Sequence, residues 1–190
     1  MRVMKTSTVL GLLVLLGGCL PVPSLHPLFT ENDIVFEPAL LGAWGEEEGE
    51  EAILTFEQLC DNAYELTYID NEKTSRYKAY LVRVGEFLFL DAYPDGEAFK
   101  ELAAAEAHLP VVPTHIFVRV WLEGDALRIA YLDDEWLEAK IEAGEVQIAH
   151  ERTEDYLVLT AAPKELQALV LQYAEDESAF DPSSLLYRRQ

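Results

Sequence analysis

The chain has 190 residues, half of them apolar, and carries 14 basic against 35 acidic side chains, a formal net charge of -21. So acidic a surface repels phosphate backbones and anionic lipid headgroups, which excludes nucleic acid as a partner and a polybasic patch as a membrane anchor. The length suits one domain that buries about 70% of the surface its unfolded chain exposes, and two cysteines are too few for a disulfide framework.

Residues 1–18 have the layout of a secretory signal: Arg2 and Lys5 form the basic segment, Val9 to Leu16 the apolar one, and Gly17 and Gly18 precede Cys19. The uncharged stretch from Thr6 to Pro23 is broken by glycines and ends in Pro21 and Pro23, whereas a spanning helix needs about 20 apolar residues. Leu16-Gly17-Gly18-Cys19 resembles the lipobox of bacterial lipoproteins. That resemblance implies a diacylglyceryl group on the Cys19 thiol and cleavage that leaves Cys19 as the first residue. Loss of Arg2 and Lys5 would reduce the 14 basic residues to 12 against the same 35 acids, a net -23. The acyl chains must then supply the membrane attachment, and since one chain binds only marginally, several are needed. Leu20 stands where inner-membrane lipoproteins of enteric-type bacteria carry aspartate. The resemblance therefore implies a lipid-anchored protein of the cell envelope, on the periplasmic face of an outer membrane where the cell has one.

Residues 19–38 hold Pro21, Pro23, Pro27 and Pro38 with few periodic apolar positions and read as an extended tether, on which Leu25, Leu28 and Phe29 are apolar enough to dock on the domain. Residues 39–190 form a single β-rich domain. From Trp44 onward, apolar and polar residues alternate over short runs. The runs are Ile53–Glu57, Tyr64–Asp70, Arg76–Val84, Phe87–Tyr93, His115–Glu123, Leu127–Leu132, Val146–Glu151 and Tyr156–Thr160. Asp70-Asn71-Glu72-Lys73, Val84-Gly85-Glu86, Glu123-Gly124-Asp125 and Ala143-Gly144-Glu145 supply the reversals between antiparallel neighbours. Tyr64, Leu66 and Tyr68 share a face opposite Glu65 and Thr67. Elsewhere both faces are apolar: Phe87 and Phe89 oppose Leu88 and Leu90, and Ile116, Val118 and Val120 oppose Phe117 and Trp121. Such strands must be covered on two sides.

Three helices can supply the outer cover. Asp95–His108 follows Pro94 and stops before Pro110; Asp134–Ala143 opens on acids and places Leu137 and Ile141 one turn apart. In the third, Pro163 suits a first helical position and Leu166, Leu169, Val170 and Tyr173 recur at i, i+3, i+4 and i+7.

Gly42-Ala43-Trp44 resembles the Gly-x-Trp that opens the barrel of lipocalins, where the tryptophan packs across one end and the glycine permits close approach. Thr153-Glu154-Asp155-Tyr156 resembles that family's Thr-Asp-Tyr turn with one glutamate inserted. No arginine stands on a strand after it to cover the tryptophan, because the C-terminal helix begins instead. A broader likeness, carried by Ser24 to Thr30, Leu40 to Trp44, Leu88 to Asp91 and Leu157 to Thr160, is to bacterial lipoproteins without an assigned activity. The expected fold is mainly β within the α+β class: an antiparallel eight-stranded barrel or strongly curled sheet, lipocalin-like, with flanking helices including a C-terminal one.

Chemistry-bearing motifs are sparse. His26, His108, His115 and His150 make no metal-ligand spacing, so no metal or cofactor is expected. Glu46-Glu47-Glu48-Gly49-Glu50-Glu51 lacks the spaced carboxylates of a calcium loop, and Asp91 to Leu102 matches one only at Asp91, Asp95 and Gly96; both read as solvated acids. Cys60, left without a partner if Cys19 carries lipid, is expected to be buried. With no nucleophile elbow or phosphate-cradling loop, no catalytic residue is assigned. The expected function is a non-enzymatic module binding a small apolar ligand. The alternative is a structural or assembly partner of another envelope protein, docking through Leu25, Phe29 or Phe180, and an enzyme built on two carboxylates, or on His115 and an acid, is a third reading.

Overall fold

The computed structural model describes residues 21–46, 52–60, 62–70, 73–94, 96, 99, 112–153, 157–181 and 185–190. Its elements, in order, are β1 (Pro23–Ser24), β2 (Ile34–Val35), a 3-10 turn (Pro38–Leu40), β3 (Gly42–Glu46), β4 (Ile53–Cys60), β5 (Ala63–Asp70), β6 (Lys73–Val84), β7 (Phe87–Pro94), β8 (His115–Glu123), β9 (Ala126–Tyr131), α1 (Asp134–Glu142), β10 (His150–Arg152), β11 (Leu157–Leu159), α2 (Pro163–Tyr173) and β12 (Leu185–Arg189). The expected helix over Asp95–His108 and the turn at Glu154-Asp155-Tyr156 lie outside the described residues, apart from Gly96 and Phe99.

Strands β3 to β9 pair consecutively and antiparallel, and β12 inserts between β9 and β3 to close an eight-stranded barrel. The expected number of strands holds, but two members differ. The runs at 146–151 and 156–160 shorten to β10 and β11, which lie off the barrel as an extension reached through β1. Their places are taken by β3, whose start the Gly-Ala-Trp signal marked, and by β12, which no sequence signal marked. Gly85 and Gly124, both with φ of +63°, make the tight hairpins of β6–β7 and β8–β9. Gly144 was expected in a strand reversal. With φ of +73° it ends α1 instead, its N–H donating to the Ile141 carbonyl.

The two-faced apolar strands divide their side chains between two cores. Facing inward, Trp44, Phe56, Tyr64, Leu81, Leu90, Val118, Ile129 and Tyr187 fill the barrel. Facing outward, Val82, Val84, Phe89, Phe117 and Ala130 meet Leu137 of α1 and Leu166, Leu169 and Val170 of α2. Asp133 caps α1 by accepting the Trp136 N–H at 2.6 Å, and the Glu165 carboxylate accepts the N–H of Ala162 ahead of α2 at 3.0 Å.

Residues 21–38, read from the sequence as a tether with docking positions, lie against the barrel. Ser24 pairs with His115 on one side and Leu159 on the other, and Leu28 is fully buried in the outer core. Phe29 packs on Tyr80 with ring centroids 4.6 Å apart, while Leu25 stays 43% exposed. Gln167 of α2 donates to the Leu28 carbonyl and to the Asp33 carboxylate. Apolar content, not proline, decides the behaviour of this segment.

One end of the barrel is sealed. Leu40 of the 3-10 turn plugs it, Trp44 is fully buried and donates its indole N–H to the Leu40 carbonyl at 2.8 Å, and Tyr64 exchanges hydrogen bonds with the Glu37 backbone. Contrary to the expectation that no arginine covers the tryptophan, Arg189 at the end of β12 lies 4.4 Å from the Trp44 ring. Its guanidinium also donates to the carbonyls of Leu41 and Ala39. Gly42, with φ of +114°, leaves the room: a Cβ there would stand 3.1 Å from the Arg189 guanidinium. Arg189→Ala removes two charge-assisted hydrogen bonds and a cation–π contact at an exposed site. Equilibrium denaturation is expected to find a loss of about 1–3 kcal/mol with the fold retained.

Candidate functional site

The opposite end of the barrel is open. There β3, β5, β7 and β9 finish and β4, β6, β8 and β12 begin, and the wall encloses a cavity of about 200 Å³. Its deeper wall is aliphatic, from Leu54, Leu66, Leu90, Val118 and Ile129. Nearer the mouth stand Tyr68, Tyr77, Tyr131 and Tyr187, each at the inward position of its own strand. Alternation explains the set: Leu66 and Tyr68, Ile129 and Tyr131, and Leu185 and Tyr187 are i, i+2 pairs on one face. The inward face of β5 expected from Tyr64, Leu66 and Tyr68 is therefore the one observed.

Burial pushes the phenols of Tyr68, Tyr131 and Tyr187 above the ordinary tyrosine value, and mutual repulsion among the tyrosines adds to it. Asp70 and Glu46 raise Tyr68 and Tyr187 further. The phenols are thus neutral hydrogen-bonding groups at physiological pH, on an otherwise apolar wall.

Pro21 also lines the cavity. Strand β9 ends opposite Val118, and beyond it β1 takes up the free edge of β8, placing Pro23 beside Ile116. The chain leading back toward Cys19 therefore starts from the rim of the open end. Cys19 itself lies outside the described residues.

A second depression, also of about 200 Å³, lies on the outer face near the sealed end. Arg119 is held there between the rings of Phe87 and Trp121, at 4.8 and 4.2 Å, and burial lowers its pKa.

The remaining sequence candidates scatter. His115 does meet an acid: its Nδ1 lies 2.7 Å from the carboxylate of Asp91. Asp91, expected among solvated acids, is fully buried, and its other oxygen accepts the Leu28 N–H at 2.7 Å. Ser24 stands opposite His115 in register, but its hydroxyl donates to the His26 carbonyl. The Asp91–His115 pair thus fastens the N-terminal segment to β7. His150 bonds the Ile148 carbonyl, His26 is exposed, and His108 lies outside the described residues. Among the described residues no three metal-binding side chains converge. Cys60, expected to be buried, is exposed at the end of β4, because the inward alternation of that strand stops at Phe56. Of the three expected docking residues Phe180 is 1% exposed, Phe29 is partly covered, and Leu25 alone is exposed. Glu47 to Glu51 lie outside the described residues.

The sequence singled out neither the tyrosine ring nor the cavity. Tyr68 and Tyr77 are neighbours on the β5–β6 hairpin, whereas Tyr131 and Tyr187 come from distant strands that join them only when β12 closes the barrel. Compared with known proteins, the chain matches no family model, no curated protein and no solved structure.

The raised tyrosine pKa values fix a direction for alkaline stability. Above the unfolded value of about 10, the unfolded chain releases protons that the folded barrel retains. The contribution is complete below that pH and is lost as pH rises toward the folded values. Spectrophotometric titration is expected to resolve phenols that ionise above the ordinary tyrosine value, with Tyr187→Phe removing the most strongly raised of them.

Proposed function

We propose that this protein is a lipid-anchored module of the bacterial cell envelope that holds a small apolar ligand in its barrel. The observation that carries this reading is the open cavity of about 200 Å³ with an aliphatic wall. Apolar cavities of about 150 Å³ bind benzene, whereas sites for drug-sized molecules start at about 300 Å³. The capacity fits a ring or a short hydrocarbon end rather than a whole lipid. The reading is non-enzymatic and assigns no metal or cofactor; the Asp91–His115 pair is read as fastening the N-terminal segment, with Asp91 accepting the Leu28 N–H.

The anchor rests on the sequence: Leu16-Gly17-Gly18-Cys19 behind a basic and apolar leader. Its position favours the same function. Pro21, the described residue nearest Cys19 in the sequence, lies on the cavity wall. A ligand dissolved in the bilayer would meet the opening without crossing much water. The docking alternative has less support, since only Leu25 of its three residues is exposed.

Two measurements test the two halves. Mass spectrometry of protein from its native host is expected to find residues 1–18 absent and Cys19 carrying thioether-linked acyl chains; unmodified Cys19 joined to its leader contradicts the anchor. For the cavity, a series of alkylbenzenes titrated against the full chain bearing Cys19→Ser is expected to bind. Filling the cavity with Ala92→Phe or Ile116→Trp is expected to weaken binding at least tenfold while circular dichroism stays unchanged. An alkylbenzene series that fails to bind, or that binds both folded variants as well as the parent, contradicts the ligand-holding role.

A further inference from the structure

We infer that the mouth of the barrel selects a hydrophobic organic cation, an amine or quaternary ammonium group carried on a small apolar body. This rests on the cavity being a ligand site, as proposed above, and goes further by assigning the charge of the ligand.

The first observation is what surrounds the polar end of the cavity. Its aromatic residues Tyr68, Tyr77, Tyr131 and Tyr187 line one opening, and among the described residues no basic side chain lines the cavity with them. Aromatic rings attract cations through the negative faces of their π-systems, and groups of such rings recognise quaternary ammonium ions. Phenolic oxygens also accept hydrogen bonds from protonated amines. Tyr187 is only 3% exposed yet lines the cavity, so its ring is a buried part of the wall that a ligand would face.

The second observation is the placement of two carboxylates by strand register. Glu46 at the end of β3 is the cross-strand partner of Tyr187, so both project from the same, inward side of the sheet. Asp70 follows Tyr68 by two residues on β5 and shares its face. Lys73 stands opposite Asp70 in register and is exposed, whereas Glu46 makes no ion pair among the described residues, so the negative field at the mouth is assigned chiefly to Glu46. The whole chain, at -21, adds attraction for a cation and repulsion for an anion at long range. A neutral apolar molecule would pack on the aliphatic depth and the rings but gain nothing from the negative ring faces or the carboxylates. A cation on an apolar body uses all three.

The test is a matched pair of probes of equal shape, benzyltrimethylammonium and its neutral isostere neopentylbenzene, titrated calorimetrically against the full chain bearing Cys19→Ser. The cation is expected to bind at least tenfold more tightly. Glu46→Gln is expected to weaken the cation about threefold to tenfold and to leave the neutral probe unchanged. Ala92→Phe is expected to remove both, which separates cavity binding from adsorption to an acidic surface. Equal or tighter binding of neopentylbenzene overturns the inference while leaving an apolar ligand site in place. Cation binding that survives Ala92→Phe overturns it as surface adsorption. Failure of both probes together with the alkylbenzene series overturns the ligand site itself.

Discussion

The structure depends on closing a sheet with five residues at the C-terminus. Strand β12 must lie between β9 and β3, because without it both carry an unpaired edge along a barrel whose interior is apolar. Backbone pairing alone does not fix so short a strand. Tyr187 fixes it inside, buried between the cavity and the core, and Arg189 fixes it at the sealed end over Trp44. The Arg189 N–H donates to the Asp125 carbonyl and the Gln190 N–H to that of Ala43, so backbone contacts on both sides continue beyond the side-chain lock. Closure therefore decides the fold and the site together: the same strand seals the floor and supplies one wall of the mouth.

The second constraint follows from the first. Closing the sheet uses only one face of each strand, and β6, β7 and β8 carry large apolar side chains on the other. Helices α1 and α2, β10 and β11 and the N-terminal segment cover that outer face. Asp91 shows how the cover is fastened: a carboxylate buried without partners would cost several kcal/mol, and its two oxygens take the Leu28 N–H and the His115 ring. Pro21 of this covering segment lies beside the mouth. The cavity and the carboxylates of Glu46 and Asp70 thus occupy one end of the barrel, and Arg189 and the glycine hairpins the other.

Much of this was legible in the sequence, and the parts that were not share a cause. Six of the eight barrel strands follow from alternation, and the two-faced runs at Phe87–Leu90 and Ile116–Trp121 required an interior and an outer cover. The stripe from Leu166 to Tyr173 located α2. What escaped depends on contacts between distant parts of the chain. In β12, Leu185, Tyr187 and Arg189 alternate over only five residues, too few to stand out beside a helix. The arginine over Trp44 therefore comes from a strand that alternation does not mark, and not from one just after the Thr153 turn. Cys60 fell to the composition argument that cysteines are usually buried, although its strand had already passed its last inward residue. The cavity is a difference between the volume of the barrel and that of its side chains, and no local pattern encodes it.

Native-state hydrogen exchange tests the role of β12 most directly. If closure by this strand holds the barrel together, the ladder amides of β12 and of its partners β3 and β9 exchange only with global unfolding, at a free energy equal to that of β6 and β7. Amides of Leu185 to Arg189 exchanging at free-peptide rates while β6 and β7 stay protected would mean that the sheet stands without its last strand, and would contradict the account.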